Sequence, residues 1–207
     1  VIAAFLSAAR SAAPLLHAPE LAESWVKPSA LAEFRISGLA GHLHGQVGNI
    51  PRYLDAPVPS DAPVMDAVHY YARHPDLDVD SPIASGIRER SEQNAGASAA
   101  ELAARYDAAI VEVAARLEGL DEDRPILVFD RWMLPLGQCL LTRLLEIVVH
   151  ADDLAVSLDV PTPQFDDEVV DAAVTTLARI AVRKRGALPV LRALSRRERA
   201  DALATAF

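Results

Sequence analysis

The sequence predicts an all-α protein, a four-helix bundle with additional short helices and a small extended segment. Three observations carry that expectation. Aromatic residues make up only 5% of the 207 residues while Ala and Leu abound, a balance that favours helices over a sandwich of strands. Several segments repeat their apolar residues at a 3.6-residue period. Helix start and stop signals bracket those segments. The length favours one domain over residues 1–207 and leaves room for a sizeable core.

The elements follow in order. Residues 2–18 form an amphipathic helix that ends before Pro19. The apolar run from Val1 to Ala9 has no basic stretch ahead of it, so it is expected to be a first helix and not a signal peptide. A short turn or helix spans Glu20 to Lys27. Ser37 is the expected N-cap of a helix over 38–54, whose stripe is Leu39, Ala40, Leu43, Val47, Ile50 and Leu54. His42, Gln46, Asn49 and Tyr53 edge that stripe, and Pro51 is expected to kink it.

Residues 55–97 are punctuated by prolines. Short helices are expected at about 63–74, with His69 and His74, and from Ile83 to Glu92, with Arg88 and Arg90. Ser98 and Glu101 make a capping box for a helix that Gly119 stops. Its stripe is Leu102, Tyr106, Ala109, Ile110, Val113 and Leu117. Pro125 to Pro135 is extended chain or a small hairpin covering one end of the bundle.

A long helix over 137–159 follows, closed by Pro161 and Pro163. The next runs from Asp166 to Arg185, acid first and base last as the helix dipole prefers. A short helix and tail complete the chain.

The formal net charge of −9 argues against a nucleic-acid surface. No apolar run approaches the roughly 20 residues of a membrane span. The single cysteine, Cys139, permits no internal disulfide and points to a reducing, cytoplasmic setting. It is expected to be a buried, inert thiol. No glycine-rich phosphate loop and no G-x-S-x-G elbow is present.

The chemistry concentrates on helix 137–159. Thr142, Glu146, His150, Asp153 and Ser157 recur at steps of four or three, which aligns them on one face. A carboxylate and an imidazole one turn apart can offer two metal ligands, and His42 can add a third from a second helix. The same seam also describes a helix edge facing water. Spacing alone leaves both readings open and favours the solvated edge.

Two stretches resemble a known family. Gly38-Leu-Ala-Gly-His-Leu-His44 resembles the D-L-x-x-H-L helix of the DinB/YfiT-like superfamily, with Gly38 where that family usually has Asp. Arg143-Leu-Leu-Glu-Ile-Val-Val-His-Ala-Asp-Asp-Leu-Ala155 looks like its E-x-x-x-H-x-x-D-L helix. The second fits best the mycothiol-dependent maleylpyruvate isomerase branch of actinobacteria. Arg88-Glu-Arg-Ser-Glu-Gln93 and Leu194-Ser-Arg-Arg-Glu-Arg199 are similar to that branch too.

The resemblance implies a DinB-type bundle whose divalent metal, Zn²⁺ with Ni²⁺ or Fe²⁺ as alternatives, is held by His42, Glu146 and His150. Asp153 would orient a ligand imidazole. Mycothiol would be the thiol cosubstrate and the partner a small electrophile; Arg88 or Arg90 either holds its carboxylate or is a solvated surface residue. A homodimer follows by the same analogy. The resembled isomerase has a further C-terminal domain that these 207 residues do not contain, so maleylpyruvate itself is not the expected substrate. The alternatives are a non-catalytic metal- or ligand-binding bundle with a sensor or stress role, and an interaction module whose seam faces water.

Overall fold

The computed structural model describes residues 1–59, 63–73, 80–196 and 198. Its centre is a bundle of α1 (Ile2–Leu16), α3 (Ile36–Gly48), α7 (Ala99–Leu117) and α8 (Leu136–Leu158). α1 and α3 each pack against both α7 and α8. The expected stripes of the α3–α4 region and of α7 are buried throughout. Their leucines, with Phe5, Tyr106 and the inward leucines of α8, form one continuous core. Among the described residues no helix is long and apolar enough to cross a membrane.

The expected helix over 38–54 starts earlier and divides. α3 begins at Ile36, so Ser37 lies inside its first turn and is not the cap. The backbone N–H groups there need no side-chain cap, because Ile36 N–H donates to Lys27 O and Ser37 N–H to Trp25 O. The break falls at Asn49, before α4 (Ile50–Asp55), which carries Pro51 in its first turn. Proline is welcome there and not in a helix interior.

The shorter helices surround the bundle. α2 (Pro19–Glu23) follows α1, and α5 (Ala67–Ala72) carries His69, while His74 lies outside the described residues. α6 (Pro82–Ala95) runs longer than expected and lies along α3. The approach is close because α3 presents glycine there. A Cβ on Gly41 would stand 2.1 Å from the Ser91 carbonyl oxygen and 2.6 Å from the Ala95 nitrogen. At Gly38 the vacated space is filled by the Glu92 carboxylate, which accepts from Ser37 Oγ at 2.9 Å. The Gly38 that departs from the family's Asp is therefore a packing position inside α3.

The capping box at α7 is nearly as expected. Ser98 Oγ accepts from Glu101 N–H, but the Glu101 carboxylate reaches back to the Ala97 N–H. Pro125 to Pro135 is a hairpin of β1 (Pro125–Val128) and β2 (Trp132–Pro135), with Val128 opposite Trp132. It packs against α4 and α8 at one end of the bundle. Its turn holds Phe129 and Asp130 at φ 53° and 55°. α9 (Asp167–Arg185) packs on α8 and α5, and α10 (Ala187–Ser195) on α9. Arg199, the last residue of the Leu194–Arg199 motif, lies outside the described residues.

Candidate metal centre

α3 and α8 lie side by side, which brings His42 to Glu146 and His150. His42 Nε2 stands 3.0 Å from Glu146 Oε2, and His150 Nε2 stands 3.3 Å from the same oxygen. The two imidazoles meet edge to face, with centroids 4.7 Å apart. One donor atom from each of the three residues lies within 4.8 Å of the others. All three side chains are half-buried, so the seam faces the interior of the molecule and not bulk water.

The far nitrogen of each imidazole has its own partner. His150 Nδ1 lies 2.8 Å from Asp153 Oδ2, three residues on in α8. His42 Nδ1 lies 3.2 Å from Ser91 Oγ on α6. Ser91 gives its hydroxyl proton to Ile87 O at 2.8 Å, so toward His42 its oxygen accepts. Both Nδ1 atoms are then donors, and both Nε2 atoms point lone pairs at a carboxylate oxygen. Three acceptors converging on one point require a cation between them, either protons or a metal ion.

The donor set fits a metal. Bonds of about 2.0–2.1 Å in a tetrahedral site put donor atoms roughly 3.3–3.4 Å apart, close to the two histidine–carboxylate separations here. The other oxygen, Glu146 Oε1, accepts from Tyr71 Oη at 2.7 Å, and that hydroxyl also reaches Thr142 O at 3.1 Å. Tyr71 thereby turns Oε2 alone toward the imidazoles.

Without a metal, protonation does part of this work. Burial is the largest influence on Glu146 and would raise its pKa. The hydrogen bonds from His150 and His42 together outweigh it and hold the carboxyl well below the usual range. Burial also opposes a charge on His150, but Asp153 and Glu146 lift it to about 9. On His42 burial prevails and the pKa falls. The metal-free site is thus an ionised carboxylate beside a charged His150, with burial working against a charge on His42.

The other sequence candidates are placed as follows. Asp153 contacts His150, as expected of an orienting acceptor. Ser157, the last member of the seam, serves a different purpose and accepts from the Ala30 backbone N–H. Thr142 is buried and accepts from Arg143 Nε. Arg88 is half-buried and Arg90 exposed on α6. Cys139 is fully buried, and burial pushes its thiol up to about 11, which suits an inert packing role. His17 and His69 are exposed and pair with Asp107 and Asp66.

Three residues around the site escape sequence reasoning. Tyr71 sits in the proline-punctuated stretch and has no periodic partner. Ser91 lies within the Arg88–Gln93 motif, but its arginines draw attention first. Arg143 opens the α8 motif, yet an arginine on a long helix is ordinarily solvated, and here it is buried.

Neither the curated proteins nor the solved structures yielded a match. A family model described as the mycothiol maleylpyruvate isomerase N-terminal domain matches residues 5–155. That span includes α3, α6, α7 and nearly all of α1 and α8, with His42, Ser91, Glu146, His150 and Asp153. The chain belongs to the mycothiol maleylpyruvate isomerase N-terminal domain family.

Proposed function

We propose that residues 1–207 form one domain that works as a metal-dependent transferase or isomerase, using mycothiol or a like low-molecular-weight thiol on a small electrophilic substrate. One observation carries this reading. Two imidazole nitrogens and one carboxylate oxygen converge with every outward-facing partner already committed. A divalent ion held there, zinc with nickel or iron as alternatives, would lower a thiol's pKa and keep a thiolate available at neutral pH.

The chain's own residues have separate tasks. His42, Glu146 and His150 are the ligands. Asp153 and Ser91 hold the Nδ1 protons and so aim each Nε2 inward. Tyr71 keeps Glu146 to one ligating oxygen. Three ligands leave room beside them for the thiol sulfur. Arg88 stands three residues before Ser91 and so shares its helix face, which makes it better placed than exposed Arg90 to meet an anionic group at the rim.

Two measurements test the reading. Metal content is determined on protein purified without a histidine tag, for the parent and for His150→Ala. A near-stoichiometric ion in the parent and its loss in the variant are expected; an ion absent from the parent, or unchanged in the variant, refutes the ligand assignment. Consumption of mycothiol with a panel of electrophiles then separates catalysis from binding. Metal-loaded protein with no turnover above buffer would leave the sensor-like binding bundle as the better description.

A further inference from the structure

Arg143 is a positive charge 5% exposed inside the bundle. Among the described residues no carboxylate lies within ion-pairing distance of it. Nε donates to Thr142 Oγ1 at 3.1 Å and Nη1 to Gln46 Oε1 at 2.9 Å. Both acceptors are neutral, and a guanidinium has five N–H groups to place. Glu146, one turn further along α8, is engaged by two imidazoles and Tyr71. A buried cation without a counter-charge is costly, and such groups are normally paired.

A second orphan lies beside it. Tyr53 is 1% exposed, and among the described residues its hydroxyl has no hydrogen-bond partner. Tyr53 and Arg143 share a neighbour in Phe129. The Phe129 ring stands 5.4 Å from the Tyr53 ring and 5.6 Å from the guanidinium carbon. The Tyr70 hydroxyl interacts with the same guanidinium. Phe129 lies in the hairpin turn, 39% exposed, where it and Asp130 both take left-handed backbone conformations.

Among the described residues, these are a hydroxyl and a charge with no carboxylate in hydrogen-bonding reach, Glu146 acting on Arg143 only at longer range. A planar carboxylate suits both, because its two oxygens match the guanidinium fork and have lone pairs to spare for a phenol. Charge balance points the same way. With a divalent ion at the triad, the ion, Glu146 and Arg143 leave two positive charges in the buried region. A thiolate at the ion and a carboxylate at Arg143 would neutralise them.

We propose that Arg143, one helical turn from Glu146 on α8, and Tyr53 on α4 form the subsite for a carboxylate on the electrophilic substrate. The subsite's part in a reaction rests on the function proposed above; its ability to bind a carboxylate does not.

Crotonate and crotonamide make a suitable pair of probes, since they have nearly the same shape and differ in charge. Their affinities are measured by ligand-observed NMR on the full chain, both metal-loaded and metal-stripped. A preference for crotonate of about tenfold is expected in both states, as a charge-assisted contact provides. Arg143→Gln should abolish it and Arg10→Ala, exposed on α1, should not. Tyr53→Phe should weaken crotonate about threefold, leave crotonamide unchanged and not lower the melting temperature.

No preference in either state overturns the subsite, as does a preference that disappears with Arg88→Ala and survives Arg143→Gln. A preference that survives Arg143→Gln but vanishes on metal removal puts the carboxylate on the ion, so the subsite falls while the metal reading stands. An Arg143-dependent preference in protein found to hold no metal leaves the subsite standing while the metal reading falls. Should circular dichroism show Arg143→Gln unfolded, Tyr53→Phe decides, and unchanged crotonate affinity overturns the proposal.

Discussion

His150 takes its orientation from a residue three places along its own helix, whereas His42 takes it from a serine 49 residues away on another helix. On the α8 side, Glu146, His150 and Asp153 fall within eight residues, and helical spacing alone brings them together. On the α3 side, His42 depends on how closely α6 approaches. That distance is set by Gly41, against which the Ser91 carbonyl and the Ala95 nitrogen pack. One half of the site is built by local geometry and the other by tertiary contact. The halves should therefore fail differently.

The largest effect is expected from Gly41→Ala. Its Cβ would meet backbone atoms, which cannot swing aside as a side chain can, so α6 must shift. A loss of about 1–3 kcal/mol of stability is expected from such overpacking, together with loss of metal at the displaced Ser91–His42 pair. Thermal melts and metal analysis check it. Wild-type values for both would remove the dependence of His42 on the α3–α6 contact.

His42→Ala and His150→Ala come next. Each deletes one of the three proposed ligands and should weaken metal by more than about 100-fold, beyond the 10–100-fold typical of orienting partners. Competition with a chelator of known affinity measures this. A much larger loss from one than from the other would show that the triad does not act as a unit.

Asp153→Asn and Ser91→Ala sharpen the comparison itself. Both should fall in the roughly 10–100-fold range, with Asp153→Asn the larger because its acceptor is charged. The reverse order would mean that the α6 contact dominates.

The pH dependence separates the halves further. In metal-free protein the pKa of His150 is raised from 6.5 to about 9. A group with a raised pKa contributes stability that is complete below pH 6.5 and is lost as the pH climbs through 9. Denaturant melts from pH 6 to 10 should show that decline, and Asp153→Asn should flatten it while Ser91→Ala leaves it in place. Metal uptake at pH 7.5 should release a proton for the same reason, visible as a buffer-dependent binding enthalpy.

The smallest effect belongs to Tyr71→Phe. It deprives Glu146 Oε1 of its donor but leaves the three proposed ligands, so a loss of about 1 kcal/mol in stability is expected, with metal retained.

The same division explains what is legible in the chain itself. The four bundle helices and the buried stripe of α7 follow from apolar periodicity, a local property. Spacing puts Glu146, His150 and Asp153 on one face of α8, but the family resemblance, not the spacing, favours a metal over a solvated edge. His42 stands out because its neighbours on the helix edge, Gln46 and Tyr53, are polar at a core boundary. Ser91, Tyr71 and the buried state of Arg143 depend on which helices become neighbours, and periodicity within one segment contains no such information. The start of α3 differs from expectation for a related reason. Its first N–H groups bond to the carbonyls of Trp25 and Lys27, so no capping side chain is needed to mark it.

His42 and Glu146 are 104 residues apart along the chain. An ion shared between them would act as a cross-link that closes a loop of that length, as a disulfide does in other proteins. The entropy of closing a loop grows with its length, so a clasp across a long one restricts the unfolded chain more than a clasp between neighbours. In those terms the ion that activates a thiol would also be the stitch between the first half of the bundle and the second.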